Sequence, residues 1–412
     1  RMIRSSRALV VGAAALVLGA CASGPTAPVG EELRAEVEFV GASVSGAEVD
    51  PAAMSRLGSG ILAQLPGENS VVSPLSLVLA LAILREGATG VTADELDAVL
   101  GLDPAAPGES VAALRARPAP LDGDVSTVDR GSPPEEALLH VADALFAARD
   151  ADVSEEFLER AARFHDAGVT LTDFAGGTAK EVLDAWVRRE TGGLVEEAPG
   201  EPDPETRLVI MNAVVLAARW RLPFEPESTQ DAPFTRADGS QVTVPTMTAL
   251  GSWRYAEGPG WQAVELPYTS DLAMILALPG PLTAEQWDEV RAAFAAGPSE
   301  SMVQLHLPRW EHESRTDLRE VLPTLGIRGI FAPHGELDGV FPDAFVASAL
   351  QAATITVAER GTVAAAVTQV DAMATGMPMV DVVLRLDRPF DYQVVTEGDH
   401  VPVFVGHVAD PS

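Results

Sequence analysis

Apolar residues recur at helical spacing in several segments of the chain, most of them in its first half. The run from Leu75 to Leu84 is apolar throughout and predicts a buried helix, and Ser73-Pro74 before it suit an N-cap and first turn. Residues 102–134 are rich in Pro, Gly and Asp and predict an irregular, exposed excursion. The predicted helices span residues 51–65, 75–84, 92–101, 154–165, 179–190 and 317–325.

After Gly200 the pattern changes to short apolar and β-branched runs bounded by turn residues, which predict strands. With one earlier run, the predicted strands span residues 69–72, 208–218, 263–266, 272–278, 349–357, 380–386, 390–395 and 401–408. Early helices followed by later strands predict the α+β class, with mostly antiparallel or mixed sheets.

The first 21 residues have the pattern of an export signal. Three arginines, at positions 1, 4 and 7, precede an uncharged run over residues 8–20 that is too short for an ordinary membrane span. The run ends in Leu18-Gly19-Ala20-Cys21, which resembles the lipobox of bacterial lipoproteins. That resemblance implies cleavage before Cys21 and lipidation of its side chain. We therefore expect an exported protein, lipid-anchored in the cell envelope on the extracellular or periplasmic face.

Composition divides the rest of the chain into two parts. Residues 22–48 are mixed Gly, Pro, Ala, Ser and Glu without a sustained apolar face, which predicts a flexible tether. Residues 49–412 carry the periodic segments and are expected to form a single domain. Cys21 is the only cysteine, so the folded body contains no internal disulfide.

The charge and the missing motifs exclude several functions. A net charge of −32, with Lys180 the only lysine, makes nucleic acid an unfavourable partner. The sequence has no Gly-x-Ser-x-Gly elbow, no His-Glu-x-x-His and no phosphate-binding loop, so a hydrolytic enzyme is disfavoured and no cofactor or metal is expected. His306 and His312 lack further ligands at metal-binding spacing, and Glu311-His312-Glu313 is interpreted as a solvated surface.

A set of short motifs, in order from about residue 50 to residue 411, resembles the serpin family of protease inhibitors. The first, Asn69-Ser70-Val71-Val72-Ser73-Pro74-Leu75-Ser76, is similar to the family's Asn-x-x-x-Ser-Pro-x-Ser. The others are Gly87–Thr92, Asn212-Ala213, Trp220 with Pro223-Phe224, Glu265–Tyr268, Leu278-Pro279, Leu307–Trp310, Leu325–Ile327, Glu359–Ala366, Arg388–Phe390 and Gly406–Val408. The resemblance implies the serpin fold, with an exposed reactive-centre loop at about residues 361–380.

The segment that begins this loop has the composition of a strand that can enter a sheet. After Glu359 and Gly361 its residues alternate with period two, Thr362, Ala364, Ala366 and Thr368 against Val363, Ala365 and Val367. All of them are small or β-branched and none is charged, so no long or charged side chain would be buried. Gly361 supplies backbone freedom for the turn into the sheet. The resemblance identifies this segment as the hinge of the loop.

The resemblance also implies the mechanism and the partner. A serine protease, or a cysteine protease, cleaves the loop, becomes covalently attached, and is trapped when the hinge enters the central sheet. Counting from the hinge places the cleaved bond at Thr375-Gly376, and Met373-Ala374 and Pro378-Met379 stay open as alternatives. The loop contains no Arg or Lys, which favours elastase-, chymotrypsin- or subtilisin-like targets. The inhibitor is expected to be a monomer.

Further residues are implied by the family to control the opening of the sheet. They are Asn69, Ser73, Pro74, Ser76, Asn212, Trp220 and Gln351. Gln351 stands where the family usually has a histidine, and a network with Asn212, Ser73 and Ser76 is expected because Gln both donates and accepts hydrogen bonds. The alternative function is a non-inhibitory serpin that acts as a binding or structural surface protein.

Overall fold

A computed structural model describes residues 30–41, 49–65, 67, 69–129, 133–362 and 379–412. The described helices are α1 (Pro51–Leu62), α2 (Pro74–Arg85), α3 (Gly90–Leu100), α4 (Pro107–Ala116), α5 (Glu155–His165), α6 (Ala179–Glu190) and α7 (Ala284–Ala295). The described strands are β1 (Glu31–Leu33), β2 (Ser70–Val72), β3 (Leu138–Ala148), β4 (Val169–Thr172), β5 (Leu208–Arg219), β6 (Gln230–Thr235), β7 (Gln241–Gly258), β8 (Trp261–Pro267), β9 (Leu272–Leu278), β10 (Glu300–Pro308), β11 (Trp310–Asp317), β12 (Val346–Ala358), β13 (Gly361–Thr362), β14 (Val382–Arg385), β15 (Phe390–Thr396) and β16 (Pro402–Val408).

Helix α2 lies at the centre of the molecule, because its sequence has no polar face. Every residue from Pro74 to Leu84 is buried, and the helix contacts strands of both sheets. Ser73 caps its N-terminus, where the hydroxyl oxygen accepts a hydrogen bond from the amide of Ser76 at 3.2 Å. The helix therefore places two serines against the sheet.

Seven strands form the sheet that carries the candidate site, which we call the central sheet. Its order is β1-β4-β3-β5-β13-β12-β11. Strands β3 and β5 are antiparallel, as are β11 and β12, whereas β5 and β12 pair directly in parallel over part of their length. The central sheet is therefore mixed, and its shortest strand, β13, lies between the long strands β5 and β12.

A second sheet packs on the other side of α2. Its strands follow the order β14-β10-β7-β8-β9-β15-β16-β2, and β6 pairs with β7. Most of its pairs are antiparallel, and β10 with β14 is parallel. Helices packed on two large mixed sheets confirm the predicted α+β class.

Three of the helix, excursion and tether predictions differ from the structure. The excursion at 102–134 contains helix α4, whose Val111 and Leu114 are fully buried, so it is not irregular throughout. The helix predicted at 317–325 is wrong: β11 ends at Asp317, and only a 3₁₀ turn follows at Leu322–Leu325. Helix α4 and the 3₁₀ turn are both short, so the apolar periodicity of each covers too few turns to identify the element.

The third difference concerns the predicted tether at 22–48. Residues 30–41 lie against the body instead, because β1 pairs antiparallel with β4 and Leu33 packs on the core. The rest of the tether and the predicted signal at 1–21 with Cys21 lie outside the described residues. Within the residues that the structure covers, no helix has the length and apolarity needed to cross a membrane.

The interpretation of Glu311-His312-Glu313 as a solvated surface holds for the two glutamates and is wrong for the histidine. On β11 the side chains alternate, so Glu311 and Glu313 are exposed while His312 is buried. The Nε2 atom of His312 lies 3.1 Å from the Tyr392 hydroxyl. Burial lowers the pKa of His312 from 6.5 to about 4.

This lowered pKa predicts a loss of stability in acid. Because His312 is neutral in the fold, its contribution is complete above pH 6.5 and is lost as the pH falls towards 4. By pH 4.5 the loss is about 2–3 kcal/mol, and replacement of His312 by Gln, which does not titrate, removes it. Urea unfolding of both proteins from pH 7.5 to 4.5 measures the difference, and parallel pH profiles would contradict the prediction.

Candidate functional site

Four buried polar side chains meet where α2 crosses the central sheet, and we call them the polar network: Ser73, Ser76, Asn212 and Gln351. The amide oxygen of Gln351 accepts from the backbone N–H of Ser73 at 3.0 Å, and its amide nitrogen donates to the Ser73 carbonyl at 3.1 Å. The same nitrogen donates to Oδ1 of Asn212 at 2.9 Å. Ser76 donates its hydroxyl to the same Asn212 oxygen at 2.9 Å. The network predicted around Gln351 is therefore present, and it joins β5 to β12 and both strands to α2.

Two residues grouped with this network on the basis of the family lie beside it. Pro74 is the first residue of α2 and is buried. Asn69 instead holds the end of the chain, since its Oδ1 accepts from the backbone amides of Ala409 and Asp410 at 2.8 and 2.9 Å. Asn69 therefore fixes the C-terminal segment rather than the contact between β5 and β12.

Glu359 follows the C-terminal end of β12, which we call the upper end of the central sheet. Two other elements hold its side chain. It is 7% exposed, and its Oε1 accepts from Nε of Arg309 at 2.7 Å and from the Thr229 hydroxyl at 2.5 Å. The Glu359 carbonyl accepts from the backbone N–H of Phe224 at 2.8 Å. A buried carboxylate requires such donors, and they fix the point at which the chain leaves β12.

Trp220, which follows β5, packs at the same end of the sheet. Its indole N–H donates to the Ala358 carbonyl at 3.0 Å, and its backbone N–H donates to the Arg360 carbonyl at 2.8 Å. Its ring stacks on Tyr268 with centroids 4.5 Å apart and planes 12° apart. Trp220 therefore ties the end of β5 to the end of β12, at the place where the hinge was predicted to enter.

The first two hinge residues already lie inside the sheet as β13. Gly361 pairs with Arg219 of β5 and Ala358 of β12, and Thr362 pairs with Ala218 and Val357. Gly361 has a φ of 153°, and a Cβ there would lie 2.0 Å from the Ala218 carbonyl oxygen, so only glycine fits.

Thr362 is fully buried, and its hydroxyl lies 2.6 Å from the hydroxyl of Tyr268. Burial raises the pKa of Tyr268, so the phenol keeps its proton and can donate it in this bond. The side chain of the second hinge residue is thus fixed as firmly as its backbone.

Below β13 the two neighbouring strands meet. Residues 208–214 of β5 pair in parallel with residues 346–353 of β12. Between that ladder and β13, residues 215–217 and 354–356 have no partner on this side among the described residues. The sheet is therefore closed at its lower end and separated at its upper end.

The remaining predicted site residues are divided by what the structure describes. Ala364, Ala365, Ala366, Thr368, Met373, Ala374, Thr375, Gly376 and Pro378 lie outside the described residues. Met379 is described, and its side chain is 84% exposed. After it, Asp381 donates its backbone N–H to Met302 at 2.9 Å and leads into β14. The described residues on the two sides of the loop therefore lie at the top of the central sheet and at the edge of the second sheet.

Sequence reasoning missed Tyr268, Arg309 and Thr229, which hold the hinge from other elements. Tyr268 and Arg309 stand inside motifs that were recognised, but nothing in a motif shows which side chain reaches the hinge. Thr229 lies in a polar turn without any signal. The described residues contain no cluster of His, Cys, Asp and Glu that could hold a metal ion.

Comparison with known proteins agrees with this geometry. The model of the family described as Serpin (serine protease inhibitor) matches residues 54–411. Neuroserpin of Homo sapiens is 30% identical over 370 residues, covering 84% of this chain and 86% of that protein. Alpha-1-antitrypsin 1-3 of Mus musculus is 28% identical over 355 residues, with 84% of each chain covered.

Among solved structures, the native state of the thermophilic serpin tengpin is similar to this chain with a TM-score of 0.77. The match covers 89% of this chain and 96% of that one at 24% identity. At this identity the likeness concerns the fold alone.

Replacement of Gln351 by Leu tests the polar network. Leu has a similar volume but leaves the Ser73 amide and carbonyl and the Asn212 oxygen short of a partner. We expect the free energy of unfolding to fall by about 2–4 kcal/mol, measured by urea unfolding. The matched control is Gln241→Leu on the exposed face of β7, which is expected to change it by less than about 0.5 kcal/mol. Equal stability of the two variants would contradict the assignment.

Proposed function

The chain belongs to the serpin family, and we propose that it inhibits a serine protease irreversibly by inserting its cleaved loop into the central sheet. The family places the chain among protease inhibitors and not among enzymes. The observation that carries the proposal is β13, two hinge residues already paired between β5 and β12 above a ladder that is closed.

The register of β13 fixes where the rest of the hinge would go. Each step down from Thr362 moves one residue along both neighbouring strands. Residues of even number would face the main core, as Thr362 and its partners Ala218 and Val357 do. Those residues are Ala364, Ala366, Thr368 and Val370, all small or β-branched, so each can be buried without charge or strain.

Continued six residues beyond Thr362, the register of β13 would bring Thr368 between Asn212 and Gln351, which supports insertion to this depth. Insertion to that depth must break the 2.9 Å hydrogen bond from Gln351 to Asn212. Threonine can replace it, since its hydroxyl both donates and accepts. The polar network therefore joins β5 to β12 until the inserting strand breaks the bond between Gln351 and Asn212. Its polar groups can form hydrogen bonds in both the intact and the inserted states.

Insertion is favourable because one parallel ladder is exchanged for two antiparallel ones. The β5–β12 ladder is lost, and the new strand pairs with both neighbours, which adds backbone hydrogen bonds to the sheet. Strand addition of this kind, including serpin loop insertion, is a known mode of recognition and strain release. The free energy of the cleaved form is thus lower than that of the intact form.

Cleavage couples this free energy to the protease. The protease serine attacks the carbonyl carbon of Thr375, an ester bond forms, and the peptide bond to Gly376 breaks as the amine of Gly376 takes a proton. Insertion then carries Thr375, with the protease still ester-linked to it, away from Gly376 before water can hydrolyse the ester. Met373-Ala374 and Pro378-Met379 are the alternative bonds, and the loop's Ala, Thr, Gly and Met favour elastase-, chymotrypsin- or subtilisin-like targets.

We also propose that the chain is a bacterial lipoprotein anchored through Cys21. The support is the basic, apolar and Leu18-Gly19-Ala20-Cys21 pattern of the sequence. Stable anchoring requires more than one acyl chain. Expression in a bacterium tests it: the protein is expected in the membrane fraction with incorporated fatty acid, and Cys21→Ser is expected to release it. Equal fractionation of the two proteins would contradict the anchor.

Mixing the protein with elastase-, chymotrypsin- and subtilisin-like proteases tests inhibition. We expect a covalent complex that survives a denaturing gel, and a C-terminal fragment that begins at Gly376 by mass spectrometry. A fragment beginning at Ala374 or Met379 would select one of the alternative bonds.

The matched variants are Ala366→Arg and Val383→Arg. The first places a guanidinium on the core face of the inserting strand, so cleavage should continue while the complex falls at least about tenfold. The second adds the same charge at a half-exposed position of β14 and should leave the complex intact. Clean cleavage without complex for the unchanged protein and every protease would identify a non-inhibitory serpin.

A further inference from the structure

A third polar residue lies in line with Asn212 and Gln351 across the central sheet. Asp143 of β3 is the Cα partner of Asn212, and Asn212 is the partner of Gln351. Leu139 and Leu145, two positions of the same parity on β3, lie in the main core, so Asp143 points to the same side as the polar network. Asp143, Asn212 and Gln351 therefore form one row on three neighbouring long strands, which we call the polar row.

Only one of the two carboxylate oxygens of Asp143 has a hydrogen-bond partner among the described residues. Its side chain is 1% exposed, and its Oδ2 lies 2.5 Å from Nη2 of Arg115 on α4. Its other oxygen, Oδ1, is buried without a hydrogen-bond partner among the described residues. Burial raises the pKa of Asp143, and the Arg115 charge opposes that rise. A buried oxygen without a hydrogen-bond partner lowers the free energy of unfolding, and a hydrogen bond from a new donor would remove that loss.

Asn212 is the side chain in position to supply that donor. In the described state its Oδ1 accepts from Ser76 and Gln351, which fixes the orientation of its amide. Side chains directly opposite on neighbouring antiparallel strands have Cβ atoms about 4.5–5.5 Å apart, so an amide on Asn212 can reach Asp143 by rotation of its own side chain. Loss of the Gln351 bond leaves Asn212 held by the Ser76 hydroxyl alone, and the amide can turn towards Asp143 while its oxygen keeps that one bond.

We propose that Asp143 is a positioning residue for loop insertion, whose unpartnered oxygen receives the Asn212 amide once the inserting strand has displaced Gln351. The inference rests on the proposed insertion. Thr368 enters between Asn212 and Gln351, its hydroxyl donates to Oδ1 of Asn212, and the amide of Asn212 donates to Oδ1 of Asp143. The inserted sheet thereby gains a hydrogen bond that the intact sheet lacks. Asp143 favours insertion without contact with the protease or the loop.

Isosteric substitutions at position 143 separate the acceptor from every other property of the side chain. Asp143→Thr keeps an oxygen that can accept from Asn212, whereas Asp143→Val has the same shape and none. Both lose the charge and leave Arg115 without its partner, so they share any structural damage. If neither folds, the pair is repeated with Arg115→Leu, which removes the unpaired guanidinium.

The readout is the annealing of a synthetic peptide of residues 362–374 into the uncleaved protein, which requires no protease. Gel mobility gives the rate, and the melting temperature of the product shows that the peptide has entered the sheet. We expect the Val variant to anneal about five- to tenfold more slowly than the Thr variant. In a Gln351→Leu background the Asn212 oxygen is held by the Ser76 hydroxyl alone before the peptide enters, so the difference should shrink to less than about twofold.

Two outcomes separate this inference from the function it rests on. If the unchanged protein does not anneal the peptide, the proposed insertion fails and this inference fails with it. If the unchanged protein anneals the peptide and the two variants do so at equal rates, the role of Asp143 alone is overturned. An equal difference with and without Gln351→Leu would show that Asp143 acts independently of the polar row, which also contradicts it.

Discussion

The hydrogen bond between the Gln351 and Asn212 side chains, 2.9 Å long, is the contact on which the behaviour of the central sheet depends. It joins β5 and β12, the two strands that β13 separates at the upper end of the central sheet, and the proposed insertion would bring Thr368 to this depth. Its partners come from α2, the most completely buried helix, so the bond is formed inside a rigid frame. A side-chain bond can be exchanged with an incoming hydroxyl, whereas an apolar contact at this place would offer an inserting threonine no partner.

The upper end of the central sheet keeps β5 and β12 apart. There the strands are held apart by β13, and Glu359, Trp220 and Tyr268 fix the chain where it turns in. At Gly361 a Cβ atom would clash with the Ala218 carbonyl oxygen, so only glycine fits there. The strands β5 and β12 are therefore separated at the upper end of the central sheet and paired directly below it, where the polar network joins them.

The fold class and the members of the polar network could be predicted from the sequence, since both correspond to short sequence patterns. Ser73-Pro74 marks a helix start, and the apolar run after it can only be buried. Gln351 and Asn212 could be paired only through the family resemblance, because they lie 139 positions apart. No sequence pattern pointed to Asp143. The strand that contains it, β3, was not predicted, and a single aspartate between two alanines resembles a solvated turn residue. Its role depends on register across β3 and β5, which only the folded chain reveals.

The most direct test of the central claim is the melting temperature of the protein before and after its loop is cut by a protease that it does not trap. If the freed hinge enters between β5 and β12, the cleaved form must melt well above the intact form, because the new strand adds two ladders of hydrogen bonds. A rise of more than about 15 °C is expected, a shift that corresponds to several kcal/mol in a domain of this size. An unchanged or lower melting temperature, with cleavage in the loop verified by mass spectrometry, would show that the hinge stays outside the sheet and would contradict the account.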